Sequence, residues 1–158
     1  GTQSHEGIAG AAEAVEYIAD LGRKVAGKTQ LARRPAIVAA MTAIRAYERQ
    51  LAERLSAGLA RLDSIRVHGI TDAARFDERL PTFSITDSRI DPARLAERLG
   101  KQGIFVWQGN YYALQLSETL GFEPNGMVRI GLTHYNTAEE VDRLLAALGS
   151  AHDKDHTP

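Results

Sequence analysis

The sequence predicts an α+β fold: two leading helices, the second unusually long, then a mixed or antiparallel sheet of about four strands with helices on one face. Three observations carry this. Apolar residues step by three or four through roughly the first sixty positions, the helical period. Beyond them short strand-like runs alternate with helical ones in the order β-β-α-β-α-β-α. Glycine, proline and asparagine punctuate the changes of period.

From Glu6 to Leu21 the apolar residues Ile8, Ala12, Val15 and Ile18 recur at helical spacing, and Gly22 stands where a left-handed C-cap is expected. A basic, polar connector over residues 23–34 leads to Pro35, which suits a first helical turn. Ile37, Met41, Ile44, Tyr47, Leu51, Leu55, Leu59 and Leu62 then form one stripe. At 1.5 Å per residue this helix would span roughly 40 Å, more than a small domain needs and suited to bridging two bodies. Gly58 and the short clean seam argue against a dimeric coiled coil.

Residues 65–70 and 82–86 read as short strands, separated by a polar loop that ends at Pro81. Asp91 is a good N-cap, Pro92 suits the first helical position, Leu95 and Leu99 supply an apolar seam, and Gly100 and Gly103 end the run. The apolar run Ile104-Phe105-Val106-Trp107 is a third strand, Gly109-Asn110 turns the chain, and residues 111–120 form a short helix. The fourth strand follows at Met127 to Leu132. Thr137 and Glu140 form a capping box for a last helix striped by Val141, Leu144, Leu145 and Leu148. The layout is therefore a long helix over residues 33–63 and an α+β domain over 64–149. The tail, residues 150–158, has nothing to pack and is expected to be disordered.

A chain of 158 residues is about one domain's worth and should bury around 70% of its unfolded surface. The net charge of −1 gives no electrostatic reason to expect nucleic acid or an anionic membrane as partner. No apolar run approaches the roughly 18 residues of a membrane span, and the N-terminus lacks the basic and apolar segments of a signal peptide, so a cytoplasmic setting is the default. The absence of cysteine excludes disulfides, thiolate metal sites and a cysteine nucleophile within this segment. His5, His68 and His134 have no metal-ligand spacing, and no metal site is expected.

The residue that points to chemistry is Arg129. Val128, Ile130 and Leu132 fall on one face of the last strand and Met127, Arg129 and Gly131 on the other, so the arginine sits opposite the core and its same-face neighbour Gly131 has no side chain to cover it. A flat fork of donors on a rigid strand suits a carboxylate or phosphate; the alternative on pattern alone is a solvated outer face.

Three stretches, G-T-Q-S-H-E-G-I-A-G-A-A-E-A-V-E-Y-I at the start, G-I-F-V-W-Q-G-N-Y-Y in the middle and V-R-I-G-L-T-H-Y-N-T-A-E-E-V-D-R-L-L near the end, resemble the class V aminotransferase family, with the cysteine desulfurase-like branch the nearest likeness. The resemblance covers Gly1 to about Leu148. It implies a homodimeric enzyme that uses pyridoxal 5'-phosphate, with the large-domain and small-domain architecture of fold type I. Residues 1–32 would then be the end of the large domain, 33–63 the interdomain helix and 64–149 the C-terminal small domain. Arg129 aligns with the arginine that grips the α-carboxylate of an amino-acid substrate, and Thr2 with the threonine that reaches the cofactor phosphate of the partner subunit.

Asn110, Trp107 and Tyr112 fall beside the substrate in the same resemblance, and two of them depart from the desulfurase pattern. Tyr112 stands where those enzymes carry their nucleophilic cysteine, and a phenol with a pKa of about 10 does not replace a thiolate. Desulfuration by the usual route is therefore not expected. Trp107 stands where a second arginine is often found, which implies a more apolar pocket; a core aromatic at 107 and a domain-interface role for the tyrosines are the alternatives. On this resemblance the family's Schiff-base lysine is expected in a large domain ahead of Gly1, and Lys24, Lys28, Lys101 and Lys154 all sit in polar stretches of the sequence. No catalytic residue is expected here and no activity from this segment alone. The competing reading is a free-standing carboxylate-binding or dimerisation module without catalysis.

Overall fold

A computed structural model describes residues 1–150. The chain divides into two compact units, Gly1–Tyr47 and a second from Glu48 onward.

The first unit holds α1 (His5–Ala26) and the beginning of α2 (Arg33–Leu59). Ser4 caps α1, its side chain accepting from the Gly7 amide at 3.2 Å. The helix runs past the expected stop at Gly22. Gly27 is the left-handed C-cap (φ 62°), and Gly22 is buried inside the helix, where a Cβ would run into the Ala36 carbonyl of α2. A glycine that looked like punctuation is instead a point of close backbone approach. Ile8, Val15, Tyr17 and Val25 of α1 are exposed.

In the second unit four antiparallel strands, β1 (Ile65–His68), β2 (Thr82–Asp87), β3 (Trp107–Gly109) and β4 (Met127–Gly131), lie in the order β1-β2-β4-β3. Leu51, Leu55 and Leu59 of α2, Leu95 and Leu99 of α3 (Pro92–Lys101), and Val141, Leu144 and Leu148 of α5 (Ala138–Gly149) share one core with Phe83, Ile85, Val128 and Ile130 of the sheet. The helices thus cover one sheet face, as the alternation predicts. Asp91 caps α3, and Thr137 with Glu140 makes the expected capping box on α5.

Four local expectations are corrected. The polar loop after β1 contains a 3-10 helix, Ala73–Glu78, capped by Asp72. The third strand is Trp107–Gly109 rather than residues 104–107. The Ile104 amide is spent on the Leu99 carbonyl in the closing turn of α3, and Phe105 stands 88% exposed. The helix expected from residue 111 is confined to α4 (Leu114–Thr119), because Tyr111 and Tyr112 adopt left-handed conformations (φ 56° and 61°) that no helix contains. Met127, expected on the open face, is buried as well, at the point where Gly126 lies against the Gly109 backbone. Of the tail, Ser150 is the C-cap of α5; residues 151–158 lie outside the described residues.

Candidate functional site

The strand register assembles the site. His68 pairs with Ser84, Ser84 with Arg129, and Arg129 with Trp107, so four residues from four strands form one row across the sheet. Paired residues share a face, and the flanking core residues Ile85 and Val128 point the other way. The row therefore lies on the face away from the helices, where the sequence predicts Arg129.

Arg129 is half-buried. Its guanidinium carbon lies 5.0 Å from the ring centre of Tyr111 and 5.6 Å from that of Trp107, both within cation–π range. Among the described residues no carboxylate makes an ion pair with it. The next position on its face is open, since a Cβ built on Gly131 meets nothing within 4 Å. A half-buried guanidinium beside two rings, with no described carboxylate paired to it, has the chemistry to accept a carboxylate or phosphate.

Tyr111 owes its position to the turn. The Asn110 side-chain oxygen accepts from the Tyr112 amide at 3.1 Å and its carbonyl accepts from the Ala113 amide at 2.8 Å, bracing two consecutive left-handed residues. Such a conformation costs a residue with a Cβ roughly 1–2 kcal/mol, so the brace is needed. The Tyr111 hydroxyl is shut off from solvent and faces Ser84 without a hydrogen bond of regular geometry. Burial pushes its pKa up to about 12, against the opposing pull of the Arg129 charge and the Ser84 hydroxyl, so it stays protonated. Tyr112, with a similar φ, is 96% exposed.

Of the residues singled out from the sequence, Arg129 and Trp107 come together; Asn110 serves the turn beside them; Tyr112 stands away in solvent. Thr2, in the first unit, is exposed and lies ahead of the Ser4 cap. Sequence reasoning missed Tyr111 and Ser84. Ser84 was findable as the outward residue between the buried Phe83 and Ile85, whereas Tyr111 depends on a left-handed turn that its residue type does not advertise. His68, at the far end of the row, bonds Thr86 Oγ1 through Nε2 at 2.9 Å and packs edge-on against Phe122. Burial, with the nearby Arg66 charge, lowers its pKa.

The described lysines do not fit a cofactor site. Lys101 is paired with Glu97 at 2.6 Å in the open, and Lys24 and Lys28 are exposed; none lies in the apolar pocket that would lower an amine's pKa. No cluster of metal-ligating side chains occurs among the described residues, and no described helix is long and apolar enough to cross a membrane.

An antiparallel sheet carries its helices on one face and the Arg129 row on the other. Residues 37–144 match the family model "Aminotransferase class-V", and the chain belongs to that family. A "Probable cysteine desulfurase" from Vibrio cholerae is 33% identical over 111 residues, covering 70% of this chain and 26% of that protein. One from Halobacterium salinarum is 31% identical over 146 residues, covering 92% and 29%. Among solved structures, the apo cysteine desulfurase of Thermococcus onnurineus NA1 matches with a TM-score of 0.67 and 25% identity, over 77% of this chain and 29% of that one. The chain thus spans between about a quarter and a third of the curated relatives it matches.

Proposed function

We propose that this chain is the substrate-carboxylate arm of a larger pyridoxal 5'-phosphate enzyme of the class-V family, one that acts on an amino acid. The observation that carries the reading is the unpaired, half-buried guanidinium of Arg129, oriented by two rings on the open face of a rigid sheet. A bidentate carboxylate contact is the interaction such a group makes best. The length of the relatives supports a second, larger body, which in this reading supplies the cofactor's lysine.

In this reading residues 1–32 end the large domain, 33–63 form the helix between the domains and 64–149 are the small domain. The enzyme is a cytoplasmic homodimer in which Thr2 reaches the cofactor phosphate of the partner subunit. This chain alone is not catalytic. Chemistry through a protein thiolate is not proposed, because the chain has no cysteine and Tyr112 occupies the corresponding place.

The test is Arg129→Ala in the full-length protein. A charge-assisted contact is worth roughly 1.5–3 kcal/mol, so KM for the amino acid should rise about ten- to hundredfold while the cofactor absorbance stays unchanged. Unaltered kinetics would remove Arg129 from this role. A stoichiometric borohydride-fixed pyridoxyl group on a lysine of this chain would overturn the division of labour.

A further inference from the structure

We infer that Trp107 makes the Arg129 site selective for α-amino acids with a flat, apolar side chain and turns it against dicarboxylic ones. The inference rests on the carboxylate role proposed for Arg129.

Trp107 is the direct cross-strand partner of Arg129 on the same face, and its ring centre lies 5.6 Å from the guanidinium carbon. In a bound amino acid Cα is one bond of about 1.5 Å from the carboxylate carbon and Cβ a second, so the side chain starts within reach of that ring. Trp107 is 54% exposed, so much of its surface is left to receive such a group. Tyr111 supplies a second ring beside the same guanidinium, and the Gly131 position leaves the approach clear.

Among the described residues no second arginine or lysine stands in the row beside Arg129 to meet another carboxylate. The other titratable member of the row, His68, lies two strand spacings away, roughly 10 Å, and is engaged with Thr86 and Phe122. Arg66 shares the open face but stands on β1, roughly 10 Å across the sheet from β4 and two residues out of the row, and the Arg79 guanidinium is taken up over the Phe83 ring at 3.7 Å. One cation, two rings and a buried hydroxyl match a monoanion whose remaining surface is apolar. A dianion would bring an uncompensated charge against the indole.

Calorimetric titration of the full-length protein with L-phenylalanine, L-leucine, L-cysteine and L-aspartate tests this. Phenylalanine should bind tightest and aspartate at least about tenfold more weakly. Trp107→Ala should weaken phenylalanine about three- to tenfold and leave aspartate nearly unchanged, the scale of an aromatic pair contact. Trp107→Phe should retain most of the preference, and Trp107→Arg should reverse it towards aspartate. Aspartate binding to the wild type as tightly as phenylalanine, or an equal loss of all four ligands in Trp107→Ala, would overturn the inference. Arg129→Ala separates it from the reading beneath. Binding without preference that disappears in Arg129→Ala defeats only the selectivity, whereas phenylalanine binding that survives Arg129→Ala, or no binding by any of the four, defeats the carboxylate role itself.

Discussion

Between residues 1 and 47 the buried positions are Ala19, Gly22, Ala36 and Ala40, none with a side chain larger than a methyl group. From Glu48 onward burial is dominated by leucine, isoleucine, valine and phenylalanine, with Leu55, Leu59, Phe83, Ile85 and Leu99 at 0% exposure. The first unit joins its helices by backbone approach at Gly22 and by polar ties, among them Arg33–Glu16 at 2.6 Å and Arg23 Nε donating to the Leu31 carbonyl at 3.1 Å. The second is held by removal of apolar surface from water, at roughly 25 cal/mol per Å². Close approach demands shape and returns little transfer energy; a leucine core returns more and tolerates some repacking. The same long helix, α2, follows the first rule at Ala36 and Ala40 and the second at Leu51, Leu55 and Leu59.

The contrast can be broken at either end. Phe83→Ala removes a fully buried ring from the second core and should cost about 3–5 kcal/mol, read by chemical denaturation. If that loss also stripped amide-exchange protection from Ala19 and Gly22 to the same degree, the two units would be one cooperative body and the comparison would fail. Gly22→Ala forces a methyl group into the Ala36 carbonyl and should cost about 1–3 kcal/mol, confined to exchange in α1 and the start of α2. Gly58→Ala is the matched control. Its Cβ would run into the Leu145 isobutyl group rather than into backbone, so Leu145 has to turn aside, and alanine gains up to about 1 kcal/mol of helix propensity in return; the net loss should be smaller than that of Gly22→Ala. Thr137→Ala, which breaks the capping box of α5, should cost about 1 kcal/mol in the second unit alone. The smallest effect is one of pH. Because the folded pKa of His68 is lowered, the unfolded chain takes up that proton first as pH falls, so stability should decline below about 6.5, and His68→Gln should flatten the decline.

Much of the second unit was legible because its signals are local. The capping box at Thr137, the Asp91-Pro92 start and the Val128-Ile130-Leu132 alternation are each completed within a few residues. Arg129 was readable for the same reason, since period-2 alternation alone sets it opposite the core. What was not legible depends on distant chain. Gly22 carries the composition of a cap, and only the approach of Ala36 gives it another purpose. The third strand begins three residues later than its apolar run, because the closing turn of α3 claims Ile104 before the sheet can. Tyr111 and Tyr112 are identical in type and alike in φ, yet one lies against Arg129 and the other stands in solvent, a difference no residue-level propensity contains.

The turn that carries Tyr111 is secured at Gly126, where two prohibitions coincide: the backbone is left-handed (φ 69°), and any side chain would collide with the Gly109 main chain. An asparagine, which tolerates the first restriction, is still refused by the second. Position 126 therefore has no mutational freedom, while the exposed rings of Trp107 and Tyr112 meet no such backbone barrier. Variation at this end of the sheet is therefore confined to side chains, because the spacing between the turn after β3 and the start of β4 is not open to selection.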